Sequence, residues 1–484
     1  MFQELARVAP TAENIRNLGV CLFRMDKRLE SLEHFDQANA MEPQNAPGRY
    51  NLGVARASCG DLLGAIEEYR AALAIDPRYA MAHSNLIFTL DCLGDDDAAQ
   101  EARQAFNQIH GRVTRLGHIN QKRPDRRLRV GYVSGDYQHH SAAFVFKPVL
   151  EHHDRDRFEV FCYSATAKLD QATDWFRNEF RWRQIVKTMT PDAVAAGIRN
   201  DGIDILVDLS GHSRDNQLLT FALKPAPIQI TGWGYALGSG LTAMDYFVCD
   251  PVALLPARRH RYPEAILDMP CLVTYEPMPH APGIAPTFAR TATFGAFARL
   301  EKMTPATFDL WASVLRAMPG ARFILKSSDC EFTFQRERLT TELTSRGVHP
   351  LQLDLRGRTS HVENMRQMMD VDVMLDTFPH GGGVTCIEAL WMGVPVVTLA
   401  GELIQSRLAT SILTAVGLTD TITTSPDEYV AEACRLMKAT EEREAFKGMS
   451  RARIMASPLG QHDAYTRQVE AHYLECWKRW CATA

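Results

Sequence analysis

Three consecutive glycines precede an apolar, helix-forming segment in the C-terminal half of the chain: Gly381, Gly382 and Gly383. An alternating apolar segment that ends at Leu375 comes before them, and residues 384–392 favour a helix. A helix start with open backbone N–H groups binds anions such as phosphate, and glycine lets the anion approach closely. The pattern therefore predicts a phosphate site. The alternative is an ordinary strand–helix crossover in which the glycines only make a tight turn.

Three polar side chains are predicted to surround this turn. Thr385 begins the helix, and Glu388 lies one turn later, within reach of the hydroxyls of a ribose attached to the phosphate. Lys302 follows the apolar segment 293–297 and projects beside the glycines if both strands end on the same sheet edge. An ammonium group there neutralises a diphosphate as its bond to a sugar breaks. A solvent-exposed lysine is the alternative.

Two adjacent histidines follow the apolar strand segment 128–134. His139 and His140 face different ways, so they lack the spacing of a helical metal site. A histidine at the carboxyl end of a strand accepts a proton from an attacking hydroxyl near neutral pH. The alternative for either ring is an ordinary surface or hydrogen-bonding role.

The first 110 residues repeat with a period of 34, which is the tetratricopeptide period. The matching pairs are Leu18 with Leu52, Gly19 with Gly53, Phe35 with Tyr69 and Pro43 with Pro77. Residues 1–10 are predicted to be the second helix of a further repeat. Asn17, Asn51 and Asn85 recur at the same spacing. An amide side chain donates and accepts, which suits the backbone of a bound peptide; bonding to the neighbouring helix is the alternative.

Alternating strand and helix segments follow the repeats, and they predict parallel sheets with helices on both faces. The predicted organisation has five parts: tetratricopeptide repeats 1–110, a basic linker 111–127, a first Rossmann-like domain 128–280, a second one 281–460, and an amphipathic closing helix 461–484.

The composition predicts a globular cytoplasmic protein. Of 484 residues, 46% are hydrophobic and 23% charged, and the net charge of −5 without a long basic run argues against nucleic acid as a partner. Eleven cysteines without a Cys-x-x-Cys pair indicate reduced thiols. The N-terminus lacks an apolar signal core, and we expect no membrane span. Asp370 and Asp372 read as the end of a helix, so we expect no metal and no bound cofactor.

The stretch from residue 376 to residue 399 resembles the nucleotide-sugar site of the protein O-glycosyltransferases that include O-GlcNAc transferase and SPINDLY. The resemblance covers residues 14–480. It implies a short tetratricopeptide array followed by a GT-B fold, which is a pair of facing Rossmann-like domains. It also implies inverting, metal-independent transfer of a sugar from a nucleotide-sugar donor to Ser or Thr of a protein held by the repeats.

The resemblance assigns expected roles to five residues. His140 falls on the family's proposed general base, and Lys302 falls on the lysine that binds the donor diphosphate. Gly234 matches a glycine beside the donor sugar. Arg358 stands where the family has a lysine, and His361 matches a histidine that lies against the nucleotide base.

Three further positions distinguish the branches of the family. Asp204 falls where O-GlcNAc transferase has an active-site histidine and SPINDLY-type sequences have aspartate, and His212 follows the SPINDLY-like pattern. Gly383 replaces a histidine of O-GlcNAc transferase. A UDP-GlcNAc-like donor is favoured. The alternatives are a SPINDLY-like fucosyl donor, a flagellin-type donor, a different acceptor group, a nucleotide-sugar isomerase, or a catalytically silent repeat adaptor.

Overall fold

The structure is a computed structural model that describes residues 4, 7–111, 117–277, 281–284 and 291–483. It divides into two units, residues 1–112 and residues 113–484. The helix predicted within residues 1–10 falls largely outside the described part. No helix of the described chain combines the length and the apolar character needed to cross a membrane.

Three helical hairpins make up the described part of the first unit. Their helices are α1 (Ala12–Arg24), α2 (Arg28–Met41), α3 (Ala46–Ser58), α4 (Leu62–Ile75), α5 (Ala80–Leu93) and α6 (Asp96–His110).

The repeat of 34 residues has a direct packing cause. A side chain at Gly19 would place its Cβ 2.8 Å from the ring of Phe35, and one at Gly53 would meet Tyr69 at 2.6 Å. In the first two hairpins, the glycine of the first helix therefore makes room for the aromatic ring of the second helix, which is why the two positions recur together.

A seven-stranded parallel sheet begins the second unit. Its strands are β1 (Leu128–Ser134), β2 (Phe158–Ser164), β3 (Arg181–Gln184), β4 (Ile205–Asp208), β5 (Ile228–Thr231), β6 (Tyr246–Cys249) and β7 (Ala265–Asp268), in the order β3-β2-β1-β4-β5-β6-β7. The helices are α7 (Ser141–Glu151), α8 (Gln171–Glu179), α9 (Pro191–Asn200) and α10 (Leu218–Ala222).

A six-stranded parallel sheet follows, in the order β10-β9-β8-β11-β12-β13. Its strands are β8 (Thr293–Phe297), β9 (Arg322–Lys326), β10 (Leu353–Arg356), β11 (Val373–Leu375), β12 (Val396–Leu399) and β13 (Ile422–Thr423). The helices are α11 (Pro305–Ala317), α12 (Thr333–Thr344), α13 (His361–Met368), α14 (Val384–Trp391), α15 (Leu408–Ala415), α16 (Pro426–Lys438) and α17 (Thr440–Ala456).

Both sheets reverse their strand order at an equivalent point. In the first, β1 pairs with β2 on one side and β4 on the other, and in the second β8 lies between β9 and β11. A crevice forms at the carboxyl ends of the two strands that flank such a switch point, and ligands of open α/β sheets bind there. The loops after β1, β4, β8 and β11 are therefore the places to look for a site.

The last helix, α18 (His462–Ala482), returns to the first sheet. The indole nitrogen of Trp233 donates to the Tyr465 hydroxyl over 3.0 Å, and the hydroxyls of Tyr132 and Tyr473 lie 3.1 Å apart. The predicted linker is not a free connector in its described part, residues 117–127. Asn120 donates to the Ile203 carbonyl of the first Rossmann-like domain over 3.1 Å.

Candidate active site

The glycine turn follows β11 and is held by a buried carboxylate. Asp376 accepts hydrogen bonds from the backbone N–H of Gly382 and from the Thr398 hydroxyl, both over 2.7 Å. Burial raises the pKa of Asp376, while the bonds from Thr398 and Gly382 and the nearby ammonium of Lys302 oppose that rise. The carboxylate thus fixes the backbone conformation of residues 381–383 at the start of α14.

Lys302 lies at this turn. Its Nζ donates to the Gly381 carbonyl over 2.6 Å from the short 3-10 helix that follows β8. The hydroxyls of Thr304 and Thr307 both donate to the Phe378 carbonyl, over 2.7 and 2.6 Å. The loops after β8 and β11 are therefore fastened to each other, with an ammonium group beside the glycine backbone.

Glu388 and His361 form a second polar pair next to the turn. His361 Nε2 lies 2.5 Å from Glu388 Oε1, which joins the start of α13 to the second turn of α14. Thr385 lies between this pair and the glycines, in the first turn of α14. Arg358 precedes α13 and lines an open cavity of about 610 Å³ whose other lining residues are Cys330, Glu331, Arg336, Arg356, Gly357, Thr359 and Gln367.

Two aromatic rings of the first Rossmann-like domain contact His361. The ring of Phe144 stacks on it at 5.2 Å between centroids with an interplanar angle of 11°, and His139 meets it edge-on at 5.4 Å. The loop after β1 and the first helix of that domain therefore contact the His361–Glu388 pair of the second domain.

His140 caps α7 at the same switch point. Its Nδ1 accepts from the Ala142 N–H over 3.2 Å and lies 3.4 Å from Asp136 Oδ1. Burial lowers the pKa of His140, the Asp136 carboxylate opposes this, and Arg299 and Arg214 add to the lowering. The ring is therefore uncharged at neutral pH, which is the state needed to accept a proton.

The loops after β4 and β5 hold the remaining candidates of this edge. His212 is buried, and its Nε2 lies 2.8 Å from the Ser239 carbonyl. Gly234 passes so close to the Leu209 carbonyl that an added Cβ would lie 1.8 Å from its oxygen. A glycine is required at that position by backbone packing alone, whatever else the turn does.

Asp204 lies apart from the other candidates. It immediately precedes β4, at the amino end of that strand, whereas the rest of the site is built on carboxyl ends. Its buried carboxylate accepts from the backbone N–H of Arg129 over 2.8 Å and from Asn120 over 2.7 Å, and it pairs with the guanidinium of Arg126. Asp204 therefore lies away from the predicted active site, and its contacts tie residues 120–129 to the sheet.

The three recurring asparagines lie on the first helix of each hairpin. Asn85 donates to the Tyr50 hydroxyl of a neighbouring helix over 3.3 Å, which is the bonding expected of a stabilising residue. Asn17 and Asn51 are half-buried, and within the described residues their side chains make no such bond. Peptide binding stays a prediction for all three.

The sequence profile of glycosyl transferase family 41 matches residues 98–274 and 289–469, most of the chain. The chain belongs to this family. A probable UDP-N-acetylglucosamine–peptide N-acetylglucosaminyltransferase SPINDLY of Oryza sativa subsp. japonica is 33% identical over 433 residues, covering 86% of this chain and 46% of the relative. The corresponding transferase of Caenorhabditis elegans is 24% identical, covering 79% of this chain and 44% of its own length. The chain thus spans about half the length of these curated relatives.

A solved structure shares the family 41 architecture over nearly the whole chain. It is a mutant of the O-GlcNAc transferase of Thermobaculum terrenum, with a TM-score of 0.93 at 31% identity, covering 99% of this chain and 93% of that one. Helical repeats followed by two Rossmann-like domains in the GT-B class, the fold predicted from the sequence, are confirmed.

Two carboxylates of this family 41 chain were missed by the sequence reasoning. Asp376 holds the glycine turn, and Asp208 plays the same part in the first domain, where it accepts from Ser210, Gly211 and the Thr231 hydroxyl. Burial raises the pKa of Asp208 to about 6. The available signal was an aspartate at the end of a strand, followed closely by glycine and matched by a threonine on the next strand.

The carboxylates of Asp370 and Asp372 both have protein partners. Asp370 accepts from Arg356 over 2.5 Å, and Asp372 accepts from the Thr293 N–H over 2.8 Å. No group of three or more His, Cys, Asp or Glu side chains suited to a metal ion occurs within the described ranges.

Proposed function

We propose that this chain transfers a sugar from a nucleotide-sugar donor, with a UDP-GlcNAc-like donor favoured, to Ser or Thr hydroxyls of a protein. The observation that carries the proposal is the bond between Lys302 and Gly381, which sets an ammonium group beside a helix-start glycine turn at a switch point. The names of the relatives, which are peptide N-acetylglucosaminyltransferases, support the class of reaction.

The leaving diphosphate is assigned to the glycine turn. Open N–H groups at the start of α14 and the Lys302 ammonium supply positive potential where negative charge develops as the sugar–phosphate bond breaks. These groups are held in place before the reaction by Asp376 and by the threonine bonds to Phe378, so little reorganisation is needed.

The nucleoside is assigned to the neighbouring polar pair. Glu388 accepts from the ribose hydroxyls, and its bond to His361 keeps that ring beside the base. Arg358 lies at the edge of the adjoining cavity, where its guanidinium is available to the nucleotide.

We assign His140 the role of general base toward the acceptor hydroxyl. The oxygen of Ser or Thr attacks the anomeric carbon from the side opposite the diphosphate. The bond between the anomeric carbon and the phosphate oxygen breaks, and its electron pair leaves with the diphosphate. The hydroxyl proton passes to His140 Nε2. This step requires the ring proton to move to Nδ1, so the cap bond from the Ala142 N–H to Nδ1 has to be released first. Asp136, at 3.4 Å from Nδ1, stabilises that tautomer. The single displacement inverts the sugar configuration.

We expect the reaction to need no metal, because Lys302 and backbone N–H groups supply the charge that a divalent cation otherwise provides. The repeats are proposed to hold the acceptor polypeptide through Asn17, Asn51 and Asn85. Gly234 and His212 belong to loops that we assign to the donor side of the first domain.

The test is a transfer assay read by intact-protein mass spectrometry. The purified chain is incubated with UDP-GlcNAc, GDP-fucose or other nucleotide sugars and with candidate acceptor proteins. The expected result is a mass gain of one sugar on an acceptor, mapped to Ser or Thr. Tight nucleotide binding without transfer or donor hydrolysis across the panel favours the silent adaptor instead, and mapping to Asn shows a different acceptor class.

A further inference from the structure

His380 is a buried histidine with an unused ring nitrogen at the edge of the glycine turn. It is only 8% exposed, and its Nδ1 has no hydrogen-bond partner within the described residues. Its backbone is fixed, because the Thr377 hydroxyl donates to the His380 carbonyl over 2.6 Å and the next N–H, that of Gly381, donates to Gln405. Buried polar atoms in folded proteins are normally paired, so the unpaired Nδ1 of His380 beside the glycine turn is available to a bound molecule.

The charges of two cationic side chains act on this ring. Burial, followed by the charges of Lys302 and Arg299, holds the pKa of His380 well below its ordinary value. The imidazole is therefore neutral at physiological pH, with one nitrogen that donates and one that accepts. Such a ring suits uncharged groups such as sugar hydroxyls or an acetamido group, whereas the phosphate charge is matched by Lys302 and the open N–H groups.

The position of His380 relative to the reacting bond follows from its neighbours. It directly precedes Gly381, whose carbonyl accepts from Lys302, so it adjoins the diphosphate end of the proposed donor site. Arg299 lies close enough to lower the pKa of both His380 and His140. His380 therefore lies at the edge of the proposed diphosphate site, and we assign the transferred sugar to this edge.

We propose that His380 hydrogen-bonds the transferred sugar and selects among donors that carry the same nucleotide. The inference rests on the proposed function and deepens it, because it names the side chain that reads the sugar rather than the nucleotide. A sugar lacking the matching group leaves the buried ring nitrogen unpaired, and sites of this kind discriminate more strongly than apolar pockets do.

The test compares His380→Ala and His380→Asn with the wild type, and uses His260→Ala, at an exposed histidine, as the matched control. The probes are UDP with UDP-GlcNAc, UDP-GalNAc and UDP-glucose, or GDP with GDP-fucose and GDP-mannose if the wild type uses that series. Calorimetry gives the Kd of the free nucleoside diphosphate, and steady-state assays give kcat/KM for each sugar.

The expected result for His380→Ala is an unchanged Kd for the diphosphate, within about threefold, and a fall in kcat/KM for the preferred sugar of about 10- to 100-fold. The ratio of kcat/KM between preferred and other sugars also falls, and His380→Asn restores part of it because an amide replaces the ring nitrogen. If His380→Ala does not fold, the ratio measured with His380→Asn decides.

Two results overturn the inference in different ways. Unchanged sugar selectivity in a variant that still transfers sugar removes His380 from the sugar site and leaves the proposed function standing. A wild type that binds no nucleoside diphosphate and transfers no sugar removes the proposed function, and the assignment of His380 with it.

Discussion

Lys302 Nζ lies 2.6 Å from the carbonyl oxygen of Gly381, although the two residues are 79 positions apart. The contact joins the loops after β8 and β11, the two strands at which the order of the second sheet reverses. It brings together a cation and a helix start bordered by glycines, the two features that favour the binding of a diphosphate.

Replacing Lys302 by Ala is expected to lower kcat/KM by about 100- to 1,000-fold, since one preorganised donor to the developing charge is lost. The free energy of unfolding should change by about 1 kcal/mol, because the bond to Gly381 is partly exposed to solvent. Steady-state kinetics and thermal denaturation check both values. Lys187→Ala, at an exposed lysine, is the control and should leave the rate unchanged.

Gly383→Ala and Gly382→Ala form a matched pair of variants. Together they distinguish an effect on diphosphate binding from an effect on the stability of the fold. A Cβ at Gly383 meets no heavy atom within 4 Å, whereas one at Gly382 lies 3.0 Å from the carboxylate of Asp376. We expect Gly383→Ala to cost about 1 kcal/mol or less of stability while weakening diphosphate binding severalfold. Gly382→Ala should lower stability further, because the methyl group disturbs the bond to Asp376. Equal diphosphate affinity in wild type and Gly383→Ala contradicts a phosphate at this turn.

The acid limb of the pH profile of kcat/KM should follow the protonation of His140. A general base acts only when unprotonated, so activity is present above the pKa of the ring and lost as pH falls through it. Burial lowers that pKa from 6.5, and activity should therefore persist below pH 6.5. Asp136→Asn removes the charge that raises the pKa, so the limb should move to still lower pH while the plateau rate falls. A limb that moves upward in this variant contradicts the pairing.

A chelator such as EDTA is expected to leave the transfer rate unchanged, because the charge on the leaving group is matched by Lys302 and backbone N–H groups. The measurement is the initial rate in metal-free buffer with and without added magnesium or manganese. Loss of activity in the chelator, with recovery on adding one of these ions, contradicts the proposed mechanism.

Asn51→Ala tests acceptor binding by the repeats separately from the transfer reaction. The amide of Asn51 makes no hydrogen bond to another described residue, so its loss should raise the KM for the protein acceptor with little effect on stability or donor hydrolysis. Asn85→Ala is the comparison. Because Asn85 bonds Tyr50, its removal should also lower the free energy of unfolding by about 1 kcal/mol. An unchanged acceptor KM in both variants indicates that these residues only stabilise the stack.

Central strands were predictable from the sequence, whereas two of the edge strands, β3 and β13, were not. Leu128–Ser134 and Thr293–Phe297 are buried on both faces, so each reads as a continuous apolar run. Arg181–Gln184 alternates between exposed and half-buried residues at the sheet edge, and Ile422–Thr423 has only two residues. Such segments become strands through pairing with a neighbour, which a local pattern does not record.

The site was predictable where it follows from topology. Lys302 and the glycine turn were expected together because both come after strands of one parallel sheet. The Phe144–His361 stack and the unpaired His380 nitrogen depend on which side chains meet across loops, and sequence spacing does not encode that. Asp204 was misplaced because matching to a family position gave no information on which end of the strand it occupies.

A crystal structure of the chain with UDP or GDP would locate the diphosphate and so decide whether it binds at the glycine turn. We expect a terminal phosphate within hydrogen-bond distance of Lys302 Nζ and of the first N–H groups of α14, with the ribose at Glu388. A diphosphate bound elsewhere, with Lys302 still bonded to Gly381 and the glycine turn empty, contradicts this assignment.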